Sequence, residues 1–184
     1  MRPVERSEIL DYETYEETRD QFRSHVMAEK ARRRVHVGAH FTFLFENRLT
    51  VRYQVQEMMR TERIVKERDI LHEIETYNAL LGGDGELGCT LLVEIDDAEA
   101  RAEKLRVWRG LPERVYARME DGTIVRPSFD EDQRSIDRIS SVQYLKFPVG
   151  GRTPAALGVD LPGVASETAL SRDERAALAE DLSA

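Results

Sequence analysis

Two acidic residues, Glu62 and Glu73, stand where helical spacing asks for apolar ones. On a helix beginning near Thr50, at about 100° per residue, Val51, Val55, Met58 and Met59 form one apolar arc. Glu62 falls within that arc, and Arg48 lies at its edge just before the helix starts. A second helix, from about Lys66 to Leu81, gathers Ile70, Leu71, Ile74, Tyr77, Leu80 and Leu81 on one side, with Glu73 between Leu80 and Tyr77. A carboxylate isolated in a core costs several kcal/mol unless it is paired, metal-bound or protonated. Glu62 and Glu73 are therefore expected to be substantially buried and neutralised by basic partners, with Arg19 and Arg48 the first candidates. Together with Gln143 these residues make up a candidate polar centre.

Three chemistries can be weighed on these residue types. The ligands available for a metal are Glu62, Asp69, His72, Glu73 and Glu75. Asp69-x-x-His72 has the carboxylate–histidine spacing of di-iron bundles, but such sites take a Glu-x-x-His from each of two helices and only one weak version is present. His72 and Glu73 also point about 100° apart. A salt-bridged polar core is the favoured account, and a single transition-metal ion on Glu62, His72 and Glu73 is the alternative. General acid–base chemistry would use Glu62 or Glu73 with a pKa raised by burial. For nucleophilic catalysis there is no G-x-S-x-G, and Ser140 and Ser141 lie in a strand with no evident histidine. Cys89, the single cysteine, shares a strand face with Leu87, Leu91, Val93 and Ile95, the setting of a buried small hydrophobe. One cysteine excludes an internal disulfide, a cysteine-rich zinc site and an iron–sulfur cluster held by this chain alone. Any redox chemistry then belongs to a partner.

The elements that must position these groups can be taken in order. A helix from about Asp11 to Arg33 carries a stripe of Tyr15, Phe22 and Val26, with Arg19 inside it. Arg19 either packs its stem and snorkels or forms a buried ion pair with Glu62 or Glu73. A hairpin follows, Val35 to Phe45, with Gly38-Ala39 as a two-residue loop that pairs Val37 with His40 and His36 with Phe41. His36 and His40 then read as half-buried sheet histidines on opposite faces. After the two central helices, Gly82-Gly83-Asp84-Gly85 lacks the Lys-Ser/Thr of a phosphate-binding loop and reads as a C-cap and turn. Next come a strand from Leu87 to Ile95 and a helix to Arg109 capped by Asp96 or Asp97, with Leu105 and Trp108 inward. Strands Arg114 to Met119 and Thr123 to Phe129 are joined by Asp121-Gly122, the strongest hairpin signal present. A polar loop, DEDQRSIDR, leads into a strand from Ile139 to Phe147, and Arg134, Asp137, Arg138 and Gln143 could line a polar pocket there. From Pro148 to Ala169 glycine and proline recur without periodicity, as in a strap across the surface, before a short helix capped by Ser171 and Glu174.

The fold class is α+β: a five- or six-stranded antiparallel or mixed sheet with helices packed on it. Residues 1–147 make one domain, and 148–184 a strap and a peripheral helix. At 184 residues, 41% hydrophobic and 34% charged, with a formal charge of -8, the chain has the composition of an acidic soluble protein. An acidic surface repels phosphate, which argues against nucleic acid and anionic membrane as partners. The one basic run, Lys30 to Arg34, falls at a helix end, where cations complement the dipole. No apolar run approaches the ~20 residues of a membrane span, and MRPVERSEIL lacks the apolar stretch of a signal peptide, so a cytoplasmic location is expected.

The strings FENRLTVRYQVQEMMRTERI, HEIETYNALL, GELGCTLLVE and DRISSVQYLKF, in this order, resemble those of an uncharacterised bacterial domain-of-unknown-function family of about this length. The likeness runs roughly from Leu10 to Leu161. In that family the genes often neighbour rubrerythrin and an iron–sulfur oxidoreductase with cysteine-rich domains. The resemblance thus implies a peroxide-defence or electron-transfer setting, and it supplies no catalytic residues. One expectation is an accessory protein without a cofactor, docking on an iron–sulfur or di-iron partner through Arg60, Arg63, His72 and Glu75. The other is a small enzyme or metal binder with its site at Glu62, His72 and Glu73.

Overall fold

The structure, a computed structural model, describes residues 1–130 and 137–184. A 3-10 turn, Arg6–Glu8, precedes α1 (Tyr12–Ala31), which starts where the Asp11 side chain accepts from the Thr14 N–H. The hairpin β1 (Arg34–Val37) and β2 (Phe41–Phe45) leads directly into α2 (Arg48–Glu62) and α3 (Glu67–Asn78). Then follow β3 (Leu87–Val93), α4 (Ala98–Val107) capped by Asp97, the single turn α5 (Leu111–Arg114) and β4 (Val115–Arg118). The remaining elements are β5 (Ile124–Val125), β6 (Ser128–Phe129), β7 (Val142–Phe147), β8 (Ala156–Val159), β9 (Ser166–Ala169) and α6 (Arg172–Leu182).

The strands form two antiparallel sheets, ordered β1-β2-β3-β7-β6 and β5-β4-β8-β9. Only Arg126 and Pro127 separate β5 from β6, so the chain changes sheets there. Proline, which has no N–H to donate, stands where the ladder must break. At the opposite margin β9 lies beside β1, where the Thr168 hydroxyl donates to the His36 carbonyl at 2.8 Å. The two sheets therefore share one core, in which Phe43, Phe45, Leu91, Leu145 and Phe147 meet Val115, Leu157 and Val159. Cys89 is buried in it, and burial pushes its thiol well above the ordinary range, with the nearby charge of Glu46 adding to the effect. A second, smaller cluster joins Val51, Val55 and Met59 of α2 to Ile70 and Ile74 of α3, closed by Val4 and Ile9.

The α+β class and a five-stranded sheet agree with the sequence, but three local expectations need correction. The hairpin register is Val37↔Phe41 and His36↔Thr42, so the loop holds three residues, Gly38, Ala39 and His40. Gly38 takes a φ of 61° there, and His36 is exposed. Residues 148–184 are integral rather than peripheral: they supply β8, β9 and α6, and Leu157, Val159 and Leu178 lie in the main core. Their strand character is hidden because every residue of β8 is buried, which removes the polar–apolar alternation. Gly158 adds to this: the Tyr116 ring covers it so closely that a Cβ would come within 2.2 Å of Cζ. The strand expected from Ile139 begins only at Val142, and Arg134 lies outside the described residues. No helix among the described residues is long and apolar enough to cross a membrane.

Candidate functional site

The buried polar groups converge on the junction between β2 and α2. The run FTFLF ends β2 on all-buried positions, and the next two residues, Glu46 and Asn47, are buried as well. Asn47 caps α2: its side chain accepts from the Thr50 N–H, and the Thr50 hydroxyl accepts from the Asn47 N–H. Glu46 has no basic partner among the described residues. Its carboxylate accepts instead from the hydroxyls of Thr50 at 2.6 Å and Thr90 at 2.9 Å. The Asn47 amide donates to Asp181 of α6 at 3.3 Å, and Asp181 is gripped by Arg33 through Nε at 2.8 Å and Nη2 at 2.9 Å. Desolvation works to lower the Arg33 pKa, but the hydrogen bonds and charges of Asp181 and Glu29 outweigh it and hold the guanidinium above its ordinary value. This network is a buried ion pair with its lone pairs satisfied, the arrangement that makes such a pair tolerable in a core. It ties the end of α1, the start of α2, β3 and α6 together.

Further along α2 the polar residues face α1. Gln56 receives the Leu10 N–H at 2.6 Å and returns a bond to the Leu10 carbonyl at 3.3 Å. Glu57 binds Arg19 in a two-pronged pair, at 2.7 and 2.9 Å, and accepts from the Tyr15 hydroxyl at 2.7 Å. The Arg19 hydrogen bond holds Glu57 below the usual carboxylate range. Arg60 pairs with Glu16 at 2.6 Å, and Arg48 pairs with Glu8 and donates to the Pro3 carbonyl. Arg19 and Arg48 are thus ion-paired as expected, but to Glu57 and Glu8.

Glu62 and Glu73 are not the buried acids the helical wheel predicts. Glu62 is the last residue of α2 and is exposed, because the helix runs past its packing neighbours one turn beyond Met59. Glu73 is half-buried beside Tyr77. Desolvation raises the Tyr77 hydroxyl pKa, a hydrogen bond with Gln54 opposes this, and the charges of Glu73 and Glu62 add to the rise. Neither carboxylate makes an ion pair among the described residues. Gln143 is fully buried, but in β7, where its amide donates to the carbonyls of Ser140 at 2.9 Å and Val142 at 3.1 Å. Arg19, Arg48, Glu62, Glu73 and Gln143 therefore do not form one centre. Of the expected polar pocket, Asp137 and Arg138 are exposed.

Of the second set, Arg60, Arg63, His72 and Glu75, the last two share a helix face. Arg68, Leu71, His72, Glu75, Thr76 and Ala79 are exposed at spacings of three and four, which puts them on one face of α3. That face begins at the α2–α3 elbow, where Arg63 caps α2 with a φ of 52°, alone among the described non-glycine residues in having positive φ. Val65 follows at 75% exposure, and Leu71 is 49% exposed. Arg60, in its pair with Glu16, lies one turn back from the elbow. Among the described residues no group of three or more His, Cys, Asp or Glu side chains is placed to hold a metal, so Glu62, His72 and Glu73 do not converge.

Arg52 was not singled out by any motif. Its guanidinium lies 4.6 Å over the Phe22 ring, and its Nε is buried with no hydrogen-bond partner among the described residues. An unsatisfied buried N–H costs about 1–3 kcal/mol. The sequence does hold a signal for it: the positions three and four residues away are Arg48, Leu49, Val55 and Gln56, none of them acidic. Arg52 lines two clefts, of about 440 and 400 Å³.

No curated protein matches this chain. A crystal structure of a protein of unknown function from Burkholderia pseudomallei K96243 is similar to it over 98% of this chain and 100% of that one, with a TM-score of 0.90 and 31% sequence identity. The family resemblance carried by the FENRLT and HEIETYNALL strings is borne out at the level of family, since residues 3–182 match the model described as "Protein of unknown function (DUF3501)". By that match, over nearly its whole length, the chain belongs to the DUF3501 family.

Proposed function

We propose that this protein is a cytoplasmic accessory protein that docks on an iron–sulfur or di-iron partner in electron transfer or peroxide defence. The redox group is the partner's. The observation that carries this reading is the α2–α3 elbow with the exposed face of α3. There Val65 and Leu71 offer apolar surface to solvent, next to Arg63, which has no partner among the described residues. Single exposed apolar residues are ordinary, but these two are accompanied by exposed Lys66, Arg68, His72 and Glu75, the composition of an apolar patch with a polar rim. The backbone adds a second indication. A non-glycine residue in the left-handed region costs about 1 kcal/mol, and glycine would cap α2 without that cost. Retaining arginine there places a cation beside Val65, and cations at such a rim accelerate docking on an acidic partner. The setting itself, beside rubrerythrin and an iron–sulfur oxidoreductase, comes from the family resemblance.

The test is a binding titration of the purified protein against rubrerythrin and against the iron–sulfur oxidoreductase, each purified separately. Saturable binding to one of them, weakened about tenfold or more by Arg63→Glu combined with Leu71→Asp, is expected. Binding that survives the double substitution unchanged would move the interface elsewhere, and no binding to either protein would end the reading.

A further inference from the structure

We propose that Arg52 anchors a small oxyanionic ligand, a carboxylate or a phosphate, in the cleft between α1 and α2. The other buried or half-buried arginines around these helices have their carboxylates: Arg19 has Glu57, Arg33 has Asp181, Arg48 has Glu8 and Arg60 has Glu16. Arg52 has none, in a chain whose acids outnumber its bases by 35 to 27. The acidic side chains that line the adjoining cleft with it, Glu8 and Asp181, are already engaged by Arg48 and Arg33. The guanidinium nevertheless has a neighbour that favours its charge, because its Cζ lies 4.6 Å over the centroid of the Phe22 ring. A guanidinium held over a ring still has its terminal N–H groups to offer to an oxyanion.

The cleft on the Phe22 side has about 400 Å³, within the range of roughly 300–1,000 Å³ of small-molecule sites. Thr18, Gln21 and His25 of α1 line it, and Gln21 and His25 are exposed with side chains available to a ligand. Gln56, also in the wall, has both amide atoms committed to the Leu10 backbone and serves to hold the cleft's end in place. The arrangement accordingly has a cation, an aromatic floor and polar groups on one wall, and it is independent of the elbow surface on α3.

The probes are inorganic phosphate and citrate, each compared with chloride at matched ionic strength. Two readouts are followed, the thermal unfolding midpoint and the NMR resonances of the His25 ring. At least one of the two anions should raise the midpoint above the chloride control and shift His25 saturably. Phosphate alone, citrate alone or both would each support the site and name the anion it takes. Arg52→Gln should abolish both responses, and Arg52→Lys, which keeps the charge but loses the planar fork, should weaken them about tenfold. The proposal is overturned if neither anion acts beyond chloride, or if Arg52→Gln responds like the native protein. Should Arg52→Gln fail to fold, an undiminished affinity in Arg52→Lys overturns it in the same way.

Discussion

The two-sheet core and the helical layer over it are stabilised by different means. Inside the sheets the side chains that meet are almost all apolar, with Phe43, Phe45, Phe147, Leu91 and Leu145 each at most 2% exposed. In the helical layer the apolar cluster is smaller, and orientation comes from directed contacts: Gln56 to Leu10, Glu57 to Arg19 and Tyr15, Arg48 to Glu8, Arg60 to Glu16. Burial is strong and tolerant of direction, whereas a half-buried ion pair contributes little free energy but demands one geometry. The core therefore supplies the stability, and the polar ladder fixes where α1 stands against α2, which in turn sets the width of the cleft at Arg52. The network of Arg33, Asp181, Asn47 and Glu46 is the seam between the two regions.

Substitutions can break or sharpen this contrast. The largest effect is expected from Phe43→Ala, about 3–5 kcal/mol lost in denaturant unfolding, through a cavity in the shared core. Asp181→Ala should follow at about 3 kcal/mol, because it leaves the buried Arg33 with Glu29 and a longer, 3.7 Å contact to Glu180, and the Asn47 amide without its acceptor. Glu57→Gln should cost only about 1 kcal/mol at neutral pH, since the pair with Arg19 is still about one-fifth exposed to solvent. Its effect depends on pH with a definite sign. The folded pKa of Glu57 is lowered, so the unfolded state binds more protons and the pair's contribution is complete above the unfolded value near 4.3. It is lost as the pH falls through the depressed folded value, and Glu57→Gln should flatten that part of the acid limb. Glu62→Ala, at an exposed helix end, should stay within about 0.5 kcal/mol. If Glu57→Gln or Glu62→Ala matched Phe43→Ala, the division of labour between core and layer would be wrong.

How much of this was legible depends on the range of the interaction. Local chemistry could be read: the Asp97 cap, the Asp121-Gly122 turn, the Ser171–Glu174 capping box and the inward face of β3 with Cys89 all stand as the sequence implies. The misplacement of Glu62 shows the limit of a helical wheel, which tells which side of a helix is apolar but not where its packing neighbour stops. Arg19 was expected to meet an acid, but the identity of that acid rests on how α1 and α2 cross. Glu57 lies off the apolar arc and gave no sign of it. The strands of the tail are hidden for a related reason, since β8 acquires its partners, β4 and β9, only in the folded sheet. On α3, the spacing of His72 and Glu75 is that of one helix face, while the left-handed Arg63 has no signature in composition.

The bond between Arg33 and Asp181 joins residues 148 positions apart. On a ribosome, the first third of the chain would emerge with α1, the hairpin and α2 assembled locally, but with the Arg33 guanidinium and the Asn47 amide still facing water. They can be sealed only when the last helix is released, and loop closure over that span is slow compared with helix formation. Asp181 is the acceptor that both groups lack until α6 docks, so α6 closes the centre of the fold after the elements it closes have formed.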